Sequence, residues 1–304
     1  MNKTETEKCF DVVIVGAGLA GLQCAKALSQ NSVNILLVDR KSDLTEGIHT
    51  TGIFVRKTLE DFEFPPGSLG KAVRKVALYS PKLKKIELAS EKDEFRVGKM
   101  DLLYKSLLQD CLNSGVEFTN GTRYVSAITG KRSSAGDDHS NGQASQQFSI
   151  LNLEKGGKPF QVLTKIIVGA DGAKSRVAKD LKLDENKAWI VGYEEVYKSS
   201  KNLREPMLHC FLDAKLAPGY LAWIADDSEE IHIGVGGYPA VFEPRKALDI
   251  FKRKTIGNVF DLGEATMKET RGGRIPVGGV LKTIANSHGL LIGDAAGAVS
   301  PLTA

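Results

Sequence analysis

Three glycines at the spacing G-x-G-x-x-G mark the first residues here that could do chemistry, in the run Gly16-Ala17-Gly18-Leu19-Ala20-Gly21. That spacing suits a phosphate cradle. The first glycine permits a tight turn, the second lets backbone approach a pyrophosphate, and the third lets a helix pack closely on a strand. A helix beginning there offers free N–H groups and a partial positive charge to the phosphates. Asp39 stands where a carboxylate accepts hydrogen bonds from ribose hydroxyls, while Arg40 could instead meet the 2′-phosphate of NADP. This unit alone leaves NAD and FAD level. Two further glycine-flanked acids follow, Asp171-Gly172 within Val168–Arg176 and Gly293-Asp294-Ala295-Ala296-Gly297 within Ile292–Pro301. Taken singly, each also reads as a capped strand-to-helix turn.

The elements needed to position these residues are legible around them. Phe10–Val15 is a short apolar, β-branched run, as expected of a strand buried on both faces of a parallel sheet. Leu19–Ser29 reads as a helix with Gly21, Ala25 and Leu28 on one face, and Asn34–Val38 as the next strand. Residues 41–98 are punctuated by Gly47, Gly52, Pro65-Pro66-Gly67 and Pro81 and are less regular. Met100–Asn113 carries an apolar stripe of Leu102, Leu103, Leu107, Leu108 and Leu112, and Gly115 ends that helix. Strand-like runs lie at 116–118, 124–128, 148–153 and 161–168, with a polar loop expected over 131–147. From about 182 to 270 alternating segments such as Ile231–Val235 suggest an antiparallel sheet, with a helix around Pro244–Lys254. A buried-strand pattern returns at Gly289–Gly293.

The three motifs in this order resemble those of FAD-dependent oxidoreductases of the glutathione-reductase-like superfamily. The resembling branch contains aromatic-ring hydroxylases, halogenases and geranylgeranyl reductases. The resemblance runs from about residue 10 to the last residue and implies FAD, with NAD(P)H as a candidate electron donor. It implies that Asp294 bonds the ribityl chain, and that Ala295, Ala296 and Gly297 open a helix at the pyrophosphate and flavin ring. It further implies that Asp171 and Gly172 lie near the pyrophosphate and ribityl region, and that Val125 touches adenine through its backbone. Relatives commonly carry Arg before the helix at 100–113 as a contact to FAD; Lys99 stands there in this chain. Gly293–Gly297 followed by Ser300-Pro301-Leu302-Thr303, together with Gly272–Gly279, resembles the geranylgeranyl reductases. Pro218-Gly219-Tyr220-Leu221-Ala222-Trp223 matches their aromatic motif in part, and the halogenases' Trp-x-Trp-x-Ile-Pro is absent.

The fold implied is α/β. A Rossmann-like FAD-binding domain with a parallel sheet, residues 1–181 and 271–304, is joined to an antiparallel-sheet substrate domain, residues 182–270. The activity implied is reduction of carbon–carbon double bonds in an isoprenoid-type apolar substrate by hydride from reduced flavin. An FAD- and NAD(P)H-dependent monooxygenase is the alternative, and a non-catalytic flavin or lipid-binding relative the second. No residue emerges as catalytic acid or base. His49–Gly52 lies where relatives bring a loop to the flavin, although the sequence alone favours a purely structural loop. Tyr220 and Trp223 fit a core, and His209, His232 and His288 lack partners at informative spacing. Such relatives continue beyond Gly297 through a helix and a further segment, so the chain reads as either a fragment or an unusually short protein.

Composition narrows the remaining classes. Across 304 residues, 42% are hydrophobic and 26% charged, as in ordinary globular proteins. A net charge of +4 gives no basis for nucleic-acid binding. Basic stretches at Lys71–Lys75 and Lys82–Lys85 read first as solvated surface, with peripheral contact to an anionic membrane left open. Cys9, Cys24, Cys111 and Cys210 form no CxxC pair, and no histidines stand at metal-ligand spacing, so no metal and no disulfide is expected. A charged N-terminus and the lack of a long apolar run point to a cytoplasmic protein. Oligomeric state is not written in the sequence.

Overall fold

The apolar run near the N-terminus forms strand β1 (Cys9–Val15), which sits at the centre of the structure. In this computed structural model, which describes residues 8–132, 146–199 and 205–299, β1 is paired in parallel on both sides. One neighbour is β2 (Ile35–Val38), reached through helix α1 (Leu19–Ser29). Next in chain order come β3 (Ile53–Val55), α2 (Arg56–Asp61), β4 (Leu69–Val73), β5 (Lys75–Tyr79), β6 (Lys85–Ala89) and β7 (Phe95–Gly98). Helix α3 (Met100–Asn113) follows, then β8 (Glu117–Thr119), β9 (Thr122–Arg132), β10 (Gln146–Lys155) and β11 (Lys158–Gly169). The expected loop over 131–147 is therefore strand at both ends, and its interior lies outside the described residues. After α4 (Arg176–Asp180) come β12 (Trp189–Lys198), β13 (Met207–Phe211), β14 (Ala222–Asp226) and β15 (Glu230–Gly237). Helix α5 (Pro244–Thr255), β16 (Thr266–Pro276), β17 (Ala285–Asn286) and β18 (Gly289–Leu291) complete the order.

The first sheet runs β17-β18-β11-β1-β2-β8, with β9 and β10 joined through β11. Its stretch β18-β11-β1-β2-β8 is parallel. Such a sheet is covered on both faces, which is why β2 reads Ile-Leu-Leu-Val and is buried at every position. On one face α1 and α3 pack through Leu22, Ala25, Met100, Leu103, Leu107 and Cys111. On the other lie Val177, Ala178 and Leu181 together with Ala295 and Ala296.

A second, seven-stranded sheet runs β16-β12-β15-β14-β13-β5-β6. Its strands after 182 pair antiparallel, as the alternation predicted. Two of its strands, β5 and β6, come instead from residues 75–89, with β5 parallel to β13. The range 182–270 is thus not the whole of this layer. The signal was missed because a short strand between prolines carries little periodicity. Helix α5 covers one face with Ala247, Leu248 and Phe251. A small sheet of β3, β7 and β4 meets the other face around Trp223, Leu208 and Cys210.

Candidate functional site

Four parallel strands end side by side, and each carries a motif at its carboxyl end: Gly16 after β1, Asp39 after β2, Ala170-Asp171 after β11 and Gly293-Asp294 after β18. Crevices at that edge are where such sheets collect ligands.

The three glycines do different work. Gly16 has φ +104°, and a Cβ there would overlap the Ala170 carbonyl. A Cβ on Gly21 would overlap the carbonyl of Gly16, so the glycine lets α1 sit directly on the turn. Gly18 differs: its φ of −68° suits any residue, and no protein atom lies within 4 Å of a Cβ built there. The fold does not need Gly18; the empty space in front of it does. No side chain caps α1, so its first-turn amides keep their charge-binding capacity. A Cβ on Gly293 would come within 2.7 Å of the Ala20 side chain. The start of α1 is therefore wedged between the second and third motifs.

Asp39 accepts from the Ala17 amide at 2.7 Å and from Lys41 N at 2.8 Å, one bond on each carboxylate oxygen. Each oxygen keeps acceptor capacity for a hydroxyl. Arg40 is exposed beside it. Asp294 is exposed too, with no hydrogen bond to its carboxylate among the described residues, and the protein mass around it raises its pKa. Its main-chain carbonyl is fixed by Asn186 at 2.8 Å, which also reaches Ala173 O at 3.2 Å. Gly297 ends this single turn at φ +68°. An open glycine, uncapped amides and an unpartnered carboxylate along one edge fit the phosphate, ribose and polyol chain of FAD.

Other residues expected at the cofactor also have partners within the protein. The Asp171 carboxylate accepts from Ser175 Oγ at 2.6 Å, Arg176 N at 2.7 Å and Val177 N at 3.2 Å, and so caps α4. Burial nevertheless lifts its pKa. Oδ1 carries one of these bonds and Oδ2 two, so Oδ1 keeps acceptor capacity as the Asp39 oxygens do, and Gly172, at φ +84°, is open beside it. Lys99 turns to Glu229 at 2.7 Å, binding the start of α3 to the β14–β15 turn instead of facing the groove. The Val125 carbonyl already accepts from Arg176 at 3.3 Å.

Tyr104, not singled out in the sequence, links the site's charges. Burial first, then the carboxylates of Asp39 and Asp294, push its phenol up to about 12, with Arg271 opposing. Arg271 belongs to the second sheet, so this phenol of α3 stands within the electrostatic reach of both layers. Equally unforeseen is His232, which lies fully buried between Glu194 and Glu230. The available signal was a charged residue at an inward position on each of two apolar strands. Among the described residues no group of three His, Cys, Asp or Glu could hold a metal, and no helix is long and apolar enough to cross a membrane. The Ser300–Thr303 stretch lies outside the described residues.

Comparison with known proteins adds the following. The pyridine nucleotide-disulphide oxidoreductase family matches residues 10–205. A digeranylgeranylglycerophospholipid reductase of Methanocaldococcus jannaschii is 25% identical, the match covering 98% of this chain and 73% of that one. The protein of that name in Methanococcus vannielii is 24% identical over the same shares. Among solved structures, a geranylgeranyl bacteriochlorophyll reductase-like protein from Thermoplasma acidophilum superposes with a TM-score of 0.80 at 19% identity, covering 97% of this chain and 73% of that one. Aklavinone-11 hydroxylase, solved with FAD and aklavinone, gives 0.67 at 17%, covering 97% and 58%.

Proposed function

The chain belongs to the pyridine nucleotide-disulphide oxidoreductase family, and from that premise we propose that it is an FAD-dependent reductase of carbon–carbon double bonds in an isoprenoid-type apolar lipid. We assign it to the geranylgeranyl reductase-like branch. The observation that carries the cofactor reading is the open edge at Gly18, a glycine the fold itself does not require. The relatives' shared name, at matches covering 98% of this chain, supports the reaction.

FAD, when bound and reduced by NAD(P)H or another electron donor, would supply the hydride. This chain's residues hold and screen it. The amides from Gly18 to Gly21 would receive the pyrophosphate, Asp39 the adenosine ribose, and Asp294 the ribityl chain. Ala17, Leu19 and Ala20 would follow as backbone of the same turn. Gly172, Gly293, Ala295, Ala296 and Gly297 supply close backbone with no side chain in the way. The apolar face carrying Tyr220, Leu221 and Trp223 would wall the substrate space and exclude water. The division that fits this use is FAD-binding residues 1–181 and 271–304 and substrate residues 182–270, with β5, β6 and the end of β16 (residues 271–276) transferred to the substrate layer. β6 exposes Ile86 and Leu88 beside Lys84 and Lys85, which supports peripheral contact with an anionic bilayer. Co-sedimentation with anionic vesicles tests that contact, and its loss on Ile86→Ser/Leu88→Ser is expected.

The experiment is reduction of bound flavin without oxygen, followed by isoprenoid and aromatic candidates. Reoxidation by an isoprenoid lipid is expected. Turnover that halts without oxygen would identify a monooxygenase instead, and a purified protein that takes up no FAD would overturn the cofactor assignment.

A further inference from the structure

On the inner face of the seven-stranded sheet, otherwise lined by Leu208, Cys210, Trp223 and Ala225, three ionisable side chains are sealed in: Glu194 at 3% exposure, His232 at 0% and Arg271 at 4%. Glu194 pairs across the sheet with both Gly234 and Arg271, and Trp223 also pairs with Gly234, so these side chains share one face. Thr51 Oγ1 donates to Glu194 Oε2 at 2.6 Å, and the Trp223 indole donates to the same oxygen at 3.2 Å. His232 Nδ1 stands 3.5 Å from Glu194 Oε1, and its Nε2 stands 3.6 Å from Glu230, which Lys268 holds at 2.7 Å. Arg271 lies 4.0 Å from Glu194 and 2.7 Å from Glu269. With His232 protonated, the ion pairs within 4.0 Å set Glu194, Glu230 and Glu269 against His232, Arg271 and Lys268, three charges of each sign. Burial opposes that proton, but the two flanking glutamates outweigh it and raise the imidazole to about 9.

Buried ion clusters are weak devices for stability, since apolar residues of similar volume do as well or better. What this one achieves is directional. Among the described residues, the side-chain hydrogen bonds that Glu194 and Arg271 make beyond their own sheet all land on Thr50 and Thr51, while His232 contributes its charge alone. Arg271 donates to Thr50 O at 3.0 Å and Thr51 O at 3.5 Å, and Glu194 receives the Thr51 hydroxyl. Gly52 follows at φ +75°, and a Cβ on it would overlap the Met100 thioether at the start of α3, one turn before Tyr104. The segment is thus pinned to the second sheet on one side and to the helix bordering the cofactor edge on the other.

We propose that Glu194, His232 and Arg271 are positioning residues, a charge-balanced clamp that fixes the Thr50–Gly52 turn between the substrate sheet and the FAD groove. It rests on the reading that FAD occupies that groove. Charge balance is the core of the proposal, so the test alters charge while preserving shape. Glu194→Gln keeps an acceptor for Thr51 but leaves His232 and Arg271 in excess; Glu194→Gln/His232→Gln removes one charge of each sign.

Amide hydrogen exchange over residues 48–55, measured without FAD, should accelerate about tenfold or more in Glu194→Gln, the equivalent of one hydrogen bond to a charged group. It should return to within about threefold of wild type in the double variant. With FAD bound, the flavin midpoint potential should move in the single variant and be restored in the double. Unchanged exchange in Glu194→Gln, or a double variant as loose as the single, overturns the clamp. If Glu194→Gln does not fold, Thr51→Val should loosen the turn and Thr51→Ser should not; a Thr51→Val chain exchanging like wild type overturns it equally. A wild-type protein that binds no FAD refutes the cofactor reading alone, because the exchange measurement still decides the clamp.

Discussion

Gly18→Ala should separate ligand binding from folding. A methyl there meets no protein atom within 4 Å, and φ is already −68°, so the apoprotein has nothing to rearrange. The only cost is replacing glycine by alanine at a helix N-cap, at most about 1 kcal/mol. For a chain of this size that lowers Tm by about 2–4 °C. The same methyl stands where the pyrophosphate must reach the amides of α1. Losing two amide–phosphate hydrogen bonds, each worth about 1.5–3 kcal/mol, weakens FAD by about 3–6 kcal/mol, or roughly a hundred- to ten-thousandfold in Kd. Gly16→Ala provides the contrast. Its φ of +104° and the overlap with Ala170 O combine backbone strain with overpacking, about 2–6 kcal/mol taken from the fold itself. The assay is a thermal melt of each apoprotein beside an FAD titration followed by flavin fluorescence. A Gly18→Ala protein binding FAD within threefold of wild type would refute the reasoning, as would one melting as early as Gly16→Ala.

Three other outcomes follow from the same geometry. His232 is held at about 9 in the folded chain against an ordinary value near 6.5, so its contribution of about 3 kcal/mol is full below pH 6.5 and gone once pH passes 9. Urea melts from pH 6 to 10 should show that decline in wild type and a flatter profile in His232→Gln. Asp294→Asn removes a carboxylate whose pKa the surrounding protein raises and which no hydrogen bond holds among the described residues, so the apoprotein should melt no earlier while FAD binds about tenfold or more weaker; unchanged affinity would remove Asp294 from the site. Asp171→Ala strips three hydrogen bonds from the start of α4 and should cost about 1–2 kcal/mol in denaturant melts, with a smaller effect on FAD than Gly18→Ala.

The sequence was most legible where chemistry and local geometry coincide. β1, α1 and β2 lie within a residue of their expected bounds, because a strand–glycine–helix transition is fixed by neighbours in the chain. The division of labour among Gly16, Gly18 and Gly21 was legible in their spacing; that the Ala170 carbonyl, far away in sequence, is what bars a side chain from Gly16 was not. Asp171 and Asp294 look alike as glycine-flanked acids, yet one accepts from Ser175 and two amides while the other has no hydrogen-bond partner on its carboxylate among the described residues. Only the folded turn separates them. Lys99 occupies the expected position but answers to Glu229, and β5 and β6 join the second sheet through a parallel pairing with β13. The histidine passed over for want of a partner, His232, has two, both brought to it across strands.

The pairing of β18 with β11 also bears on how this chain reaches its fold. β11 ends at Gly169 and cannot gain its second parallel neighbour until Gly289–Leu291 has been made, after the strands β12 to β16 have been synthesised. Contacts closed over so long an interval form late and slowly. Until then the Ile167–Gly169 edge presents unpaired amides and carbonyls beside apolar side chains, a template for another strand. The last parallel strand is therefore the closure that protects a nascent chain from association. Substitutions in Gly289–Leu291 should reduce soluble yield more than they reduce the stability of protein that has already folded.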